Sequence, residues 1–198
     1  MVVSMLRYSS YCVNKSSILS ACNLIYYRYI SQRQYEKGRK VMKLLIKQRV
    51  FSWGDTYDIY DEFGNAKYLV KAEVFSFGHQ LHVFDIYGNE IGQIHQKLFK
   101  FTPTFEIVVG GQVYGIIRKQ FTFFVPKYDI DFNGWYVEGD FMGWDYNVYS
   151  SGHPIIHISK QLFNWGDTYV IDFANSQDEL MGMLLVVAID AANCSRNK

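Results

Sequence analysis

The stretch of this 198-residue chain whose residue types and spacing come nearest to chemistry is Asp129-Ile130-Asp131-Phe132-Asn133-Gly134, with Asp140 six residues beyond the glycine. Oxygen donors at positions one, three, five and twelve around a glycine at six are what an EF-hand-type calcium loop requires. Asp129, Asp131, Asn133 and Asp140 are therefore the calcium candidates. A strand reading competes. Position twelve is Asp where a bidentate Glu is usual, and no helix pattern flanks the loop. Tyr128 to Phe132 alternates as a strand, and Asn133-Gly134 is a strong two-residue hairpin signal. Even in a strand, Asp129 and Asp131 would share a face.

The other chemistry-bearing residues do not assemble. His79 and His82 fall on opposite faces of a strand, and His153 and His157 would stand ~13 Å apart at strand rise. That is too far for one ion, and His95 is alone. There is no G-x-S-x-G elbow, Cys194 lies in the polar tail, and Gly110-Gly111 is not a phosphate-cradling loop. Three cysteines make neither a disulfide framework nor a zinc site. The expectation is no catalytic residue, no cofactor and no enzyme. Basic residues, by contrast, recur where successive segments begin: Lys47 and Arg49, Lys97 and Lys100, Arg118 and Lys119, and Lys160.

The elements that would position them form a repeat. Trp53-Gly54-Asp55-Thr56-Tyr57-Asp58-Ile59 recurs as Trp165-Gly166-Asp167-Thr168-Tyr169-Val170-Ile171, with looser copies between. Anchors at Tyr57, Leu81, Phe105, Tyr128, Tyr146 and Tyr169 each open a period-two stretch that runs into a turn. Gly and Asp in the Trp-Gly-Asp copies supply turn geometry, so their repetition reads as structural. Six strand pairs predict about twelve antiparallel strands, either a barrel or a flat sandwich. The tail decides between them. Leu180 to Ile189 (LMGMLLVVAI) holds no charged side chain, so a helix over about 177–192 would be apolar nearly all round, with Ser176 and Glu179 placed as a capping box. It is too short to cross a bilayer, which needs ~20 apolar residues, so no transmembrane segment is expected. Twelve strands enclose more space than their own side chains fill, and one helix is the plug such a barrel needs.

The net charge of +1 conceals a boundary. Residues 1–41 carry seven Lys and Arg against Glu36 alone, giving +6, and residues 42–198 sum to −5. Every Phe and Trp lies after Met42. Residues 1–41 are expected to be a poorly ordered basic extension; three readings compete for them. A secretory signal fits poorly, because Ser, Asn and Lys interrupt every apolar stretch. A basic targeting or membrane-surface peptide is the second. The third makes Met42 the native start, because Glu36-Lys37-Gly38-Arg39-Lys40 back-translates into a purine tract at ribosome-binding distance. The near-neutral total excludes a general nucleic-acid coat.

Residues 42–192 resemble the LURP-one-related family, whose architecture is the tubby C-terminal-like barrel. The resemblance is carried by Lys47-Gln48-Arg49-Val50-Phe51, by Tyr57-Asp58-Ile59-Tyr60-Asp61-Glu62-Phe63-Gly64, by Asp85-Ile86-Tyr87-Gly88-Asn89-Glu90-Ile91-Gly92, and by the apolar C-terminal helix. It implies a mainly β protein, a closed antiparallel barrel of about twelve strands around one hydrophobic helix, over a domain of residues 42–198. It also implies a cytoplasmic, non-catalytic protein whose fold relatives include phosphoinositide-binding tubby proteins and phospholipid scramblases. If the repeated units are equivalent, Lys47, Arg49, Lys97, Lys100, Arg118, Lys119 and Lys160 fall near one rim. Such a rim could hold anionic ligands such as phospholipid headgroups, with attachment peripheral to the membrane. The alternatives are a solvated rim that discourages edge association, and a protein-interaction scaffold with no lipid role.

Overall fold

A computed structural model of the chain describes residues 42–47, 56–73, 78–122, 127–141, 143–163 and 166–194. The alternating pattern becomes a succession of antiparallel strands: β1 (Met42–Lys47), β2 (Tyr57–Asp61), β3 (Ala66–Glu73), β4 (Gln80–Asp85), β5 (Glu90–Lys97) and β6 (Thr104–Val109). The second half follows with β7 (Gln112–Lys119), β8 (Tyr128–Phe132), β9 (Trp135–Asp140), β10 (Asp145–Ser150), β11 (His153–Phe163) and β12 (Gly166–Phe173). A 3-10 turn (Ser176–Asp178) then leads into the one α-helix among the described residues, α1 (Glu179–Cys194). The basic extension expected over residues 1–41 lies outside the described residues, as do Arg49, Trp53 and Trp165.

All twelve strands belong to one sheet, in the order β8-β7-β6-β5-β4-β3-β2-β1-β12-β11-β10-β9. Pairing of β1 with β12 joins the two halves of the chain and curls the sheet into a nearly closed barrel. The seam falls in mid-chain, between β8 and β9. The tight turn expected there does form, with φ of 55° at Asn133 and 67° at Gly134, the type I′ geometry. Its strands splay instead of pairing, and no ladder joins them. Phe132 and Trp135 flank the turn, are both buried, and meet edge to face with ring centroids 5.6 Å apart. Two large inward rings at the apex hold apart the backbones that a regular hairpin would bring together.

The six anchors occupy equivalent places. Tyr57, Leu81, Phe105, Tyr128 and Tyr146 each lie at or next to the start of an even-numbered strand, Tyr169 is the fourth residue of β12, and all six pack into the core. Two residues on, Ile59, Val83, Ile107, Ile130, Val148 and Ile171 form a second inward layer. These layers surround α1, whose residues Met183 to Ile189 are at most 1% exposed. A helix apolar on all sides is thereby satisfied inside protein.

α1 begins two residues later than the periodicity predicts, and the capping box is replaced. Asn175, in an extended conformation, precedes the 3-10 turn. Glu179 instead accepts from Lys67 Nζ (2.6 Å to Oε1) and from the Tyr68 hydroxyl (2.6 Å). Topology defines two barrel ends. At the upper end lie the β2–β3, β4–β5, β6–β7, β8–β9 and β10–β11 turns and the start of α1; the β5–β6 and β9–β10 connections and the end of α1 lie at the lower end.

Candidate functional site

At the lower end, the β5–β6 connection (98–103) and the described ends of the β7–β8 connection (120–122 and 127) are neighbours, because β5 to β8 are consecutive in the sheet. A hydrogen bond from Lys119 N–H to the Pro103 carbonyl (2.9 Å) ties their bases together. Gln120 N–H donates to the Lys127 carbonyl (2.8 Å) and joins the two described ends of the second connection. These two segments and their flanking strand ends carry Lys97, Lys100, Arg118, Lys119 and Lys127. Lys97 lies 3.0 Å from Glu106, and Lys119 Nζ donates to the Ala192 carbonyl (3.3 Å), a cation at a helix C-terminus. Lys100, Arg118 and Lys127 are exposed.

The expected rim is therefore a patch. Lys97, Lys100, Arg118 and Lys119 come together and Lys127 joins them. Lys47 lies at the lower end of β1 and Lys160 within β11, both several strands away around the barrel. The β9–β10 side of the same end carries Asp140 and Asp145 instead.

The sequence pattern did not single out the apolar residues between those cations. Phe99 is 102% exposed, Phe101 99% and Phe121 81%, with Leu98 partly exposed beside them. Large apolar residues in a connection, where polar turn chemistry is usual, were the available signal.

The calcium candidates do not converge. Asp129 and Asp131 lie on the exposed face of β8, Asn133 is in the upper turn, and Asp140 ends β9 at the lower end. Among the described residues no group of three or more His, Cys, Asp or Glu side chains could hold a metal ion. Two of the histidines, His82 and His157, have side-chain partners of their own. His82 has Glu90 at Nδ1 and Glu73 at Nε2 (3.3 Å), on the outer wall. Burial opposes ionisation of Glu90, but bonds from His82 and Gln93 outweigh it and hold this carboxyl below the ordinary value. His157 Nδ1 faces Asn147 Oδ1 at 3.0 Å.

The upper end presents a second motif, written twice. Asp61-Glu62-Phe63-Gly64-Asn65 and Asp85-Ile86-Tyr87-Gly88-Asn89 close β2–β3 and β4–β5 with the same hydrogen bonds. Their central rings, Phe63 and Tyr87, are 79% and 83% exposed.

The LURP-one-related family model matches residues 42–190, nearly the whole barrel and its helix. The chain belongs to the LURP-one-related family. Within it, the uncharacterised protein YxjI of Bacillus subtilis (strain 168) is 29% identical over 150 residues, which is 76% of this chain and 93% of YxjI. An Arabidopsis thaliana protein of known crystal structure shares the fold, with a TM-score of 0.54 at 17% identity over 76% of this chain and 91% of its own. In this LURP-one-related barrel the lower part of α1 carries polar side chains into the interior. Asn193 accepts from the Tyr128 hydroxyl and donates to the Phe141 carbonyl (3.2 Å), closing the wide end of the seam. One turn earlier, burial pushes the Asp190 carboxyl up to about 8. The wholly buried Tyr146 hydroxyl is without a hydrogen-bond partner, and burial, then the charge of Asp190, pushes it well above its ordinary value.

Proposed function

We propose that the barrel is a non-catalytic module that binds anionic ligands at its lower end, with phospholipid headgroups at the cytoplasmic membrane face as the ligand class. The observation that carries this reading is the gathering of Lys97, Lys100, Arg118, Lys119 and Lys127 on two tethered connections. Residues 42–198 sum to −5, so attraction for phosphate has to come from local clustering. Basic residues near an anionic leaflet contribute ~1 kcal/mol each and act within a Debye length, so the attachment is reversible and salt-sensitive. It is also peripheral in this reading: no helix among the described residues is long and apolar enough to cross a membrane.

The test is co-sedimentation of the full chain with phosphatidylcholine vesicles, with and without phosphatidylglycerol, at rising salt. Binding should favour the phosphatidylglycerol vesicles and weaken as salt increases. Binding indifferent to both lipid charge and salt would reject the proposal.

The exposed Phe63 and Tyr87 rings favour a second reading, a protein-interaction scaffold using the upper end. A Phe63→Ser/Tyr87→Ser variant separates the two. Vesicle binding should survive it, whereas binding to a protein partner through the upper end should not.

A further inference from the structure

We propose that Phe99, Phe101 and Phe121 form a hydrophobic wedge that enters the boundary between headgroups and acyl chains of the membrane the lower end meets. This rests on the anionic-surface reading above and adds to it a component that salt does not screen.

Three observations lead there. First, these rings are not scattered singly: 102%, 99% and 81% exposed, they stand on two connections whose bases are hydrogen-bonded together. Isolated exposed apolar residues are ordinary, whereas three large rings on neighbouring connections at one end of the barrel mark a contact surface.

Second, Phe99 holds a φ of 59°, the left-handed region that side chains bearing a Cβ seldom adopt and glycine enters freely. A turn that needed only its backbone would be better served by glycine. A phenylalanine that is both strained and wholly exposed contributes nothing to the core. Retained strain of this kind points to a role outside the fold.

Third, the surroundings select the partner. Lys100 separates Phe99 from Phe101, and Arg118 and Lys127 stand at the bases of the connections. Aromatic tips interleaved with long cationic side chains suit a lipid interface. The rings can sink ~5–10 Å below the headgroups while the cations reach back to phosphate.

The experiment compares the full chain with two variants, Phe99→Ser/Phe101→Ser/Phe121→Ser and Lys100→Gln/Arg118→Gln/Lys127→Gln. Partitioning onto vesicles of phosphatidylcholine alone, or mixed with phosphatidylglycerol, is followed through a salt titration. The wild type should keep a fraction of binding that high salt does not remove. The aromatic variant should bind at least about tenfold more weakly, equivalent to ~1.4 kcal/mol, and lose that salt-resistant fraction. The charge variant should lose the preference for phosphatidylglycerol.

If the aromatic variant binds as the wild type does at every salt concentration, insertion is wrong and the electrostatic reading stands. If the wild type binds neither vesicle, both fall. Self-association of the wild type that the aromatic variant abolishes would assign the patch to a second copy and overturn the wedge. Phe99→Trp supplies an independent readout. Its added emission should shift to the blue on phosphatidylglycerol vesicles and be quenched by lipids brominated in the acyl chain; unchanged, unquenched emission would contradict insertion.

Discussion

Gly92 on β5 lies so close to Leu184 on α1 that a Cβ at the glycine would stand 2.7 Å from Leu184 Cδ2. The barrel wall and its central helix meet at this point with no glycine side chain between them. Leu184 is fully buried, enclosed by the two inward layers that the repeat supplies.

Both partners should resist substitution. Gly92→Ala overpacks the contact and should cost ~1–3 kcal/mol in urea unfolding. Leu184→Ala should cost ~3–5 kcal/mol, through lost burial and a cavity that close packing cannot fully collapse. Leu184→Asp places a charge inside the barrel without a partner and should leave no folded, soluble domain. A folded Leu184→Asp protein would contradict the plugged barrel.

Asp190 should make the domain more stable in acid than at neutral pH, as far as this one group is concerned. Its carboxyl titrates at about 8 in the folded chain, raised from 3.8 by burial. The unfolded chain therefore releases this proton earlier. The stability associated with the group is fully present below about pH 3.8, declines as pH rises towards 8, and is flat beyond. The total loss is on the order of 5 kcal/mol. Asp190→Asn removes the titration, so the difference in urea stability between variant and wild type should grow in the variant's favour from pH 5 to pH 8. A difference that stayed constant over that range would show that Asp190 is ionised in the folded protein.

Much of this architecture is legible in the chain because it depends on local periodicity. Tyr57, Leu81, Phe105, Tyr128, Tyr146 and Tyr169 announce equivalent strands, and ten consecutive uncharged residues announce the helix that fills them. The seam is not legible. Asn133-Gly134 encodes a turn correctly, but whether its strands pair is decided by where Phe132 and Trp135 find room inside the barrel. The cation patch is half legible for a related reason. Repeat position brings Lys97 and Lys119 to the lower end, but their engagement by Glu106 and by the Ala192 carbonyl depends on partners brought close only by the fold. Phe99 escapes pattern reading because alternation says nothing about a residue whose side chain packs against no part of its own chain.

The Lys67–Glu179 contact ties the upper end of β3 to the first turn of α1, and its charge sign suits a helix N-terminus. Glu179 is nearly buried while Lys67 remains over one-third exposed, so the loss should come mainly from stranded hydrogen bonds, with the Coulombic part screened by solvent. Glu179→Ala should cost ~1–3 kcal/mol and Tyr68→Phe ~1 kcal/mol. Burial first, and then the Glu179 hydrogen bond and charge, hold the Tyr68 hydroxyl well above its ordinary value. A double-mutant cycle in urea should therefore find Tyr68→Phe nearly silent once Glu179 is alanine. Full additivity would show that the two side chains do not interact in solution.

Asp61 and Asp85 make the two upper loops, and both should fail together in acid. Asp61 Oδ1 accepts the backbone N–H groups of Phe63 (2.9 Å) and Asn65 (2.8 Å); Asp85 Oδ1 does the same for Tyr87 (2.8 Å) and Asn89 (2.9 Å). Side-chain bonds from Asn65 and Asn89, the largest cause, outweigh the opposing desolvation, and together with the backbone donors lower both carboxyls below the ordinary aspartate value. A lowered folded value gives stability that is present above about pH 4 and lost as pH falls through the folded value. The wild-type thermal midpoint should drop in that range. Asp61→Asn/Asp85→Asn should start lower at neutral pH, because each new amide opposes the Nδ2 donor of Asn65 or Asn89, and should then fall less on acidification. Since the loops share no hydrogen-bond partner, the single variants should add. Equal acid sensitivity of the double variant and the wild type would place the acid-labile groups elsewhere in the barrel.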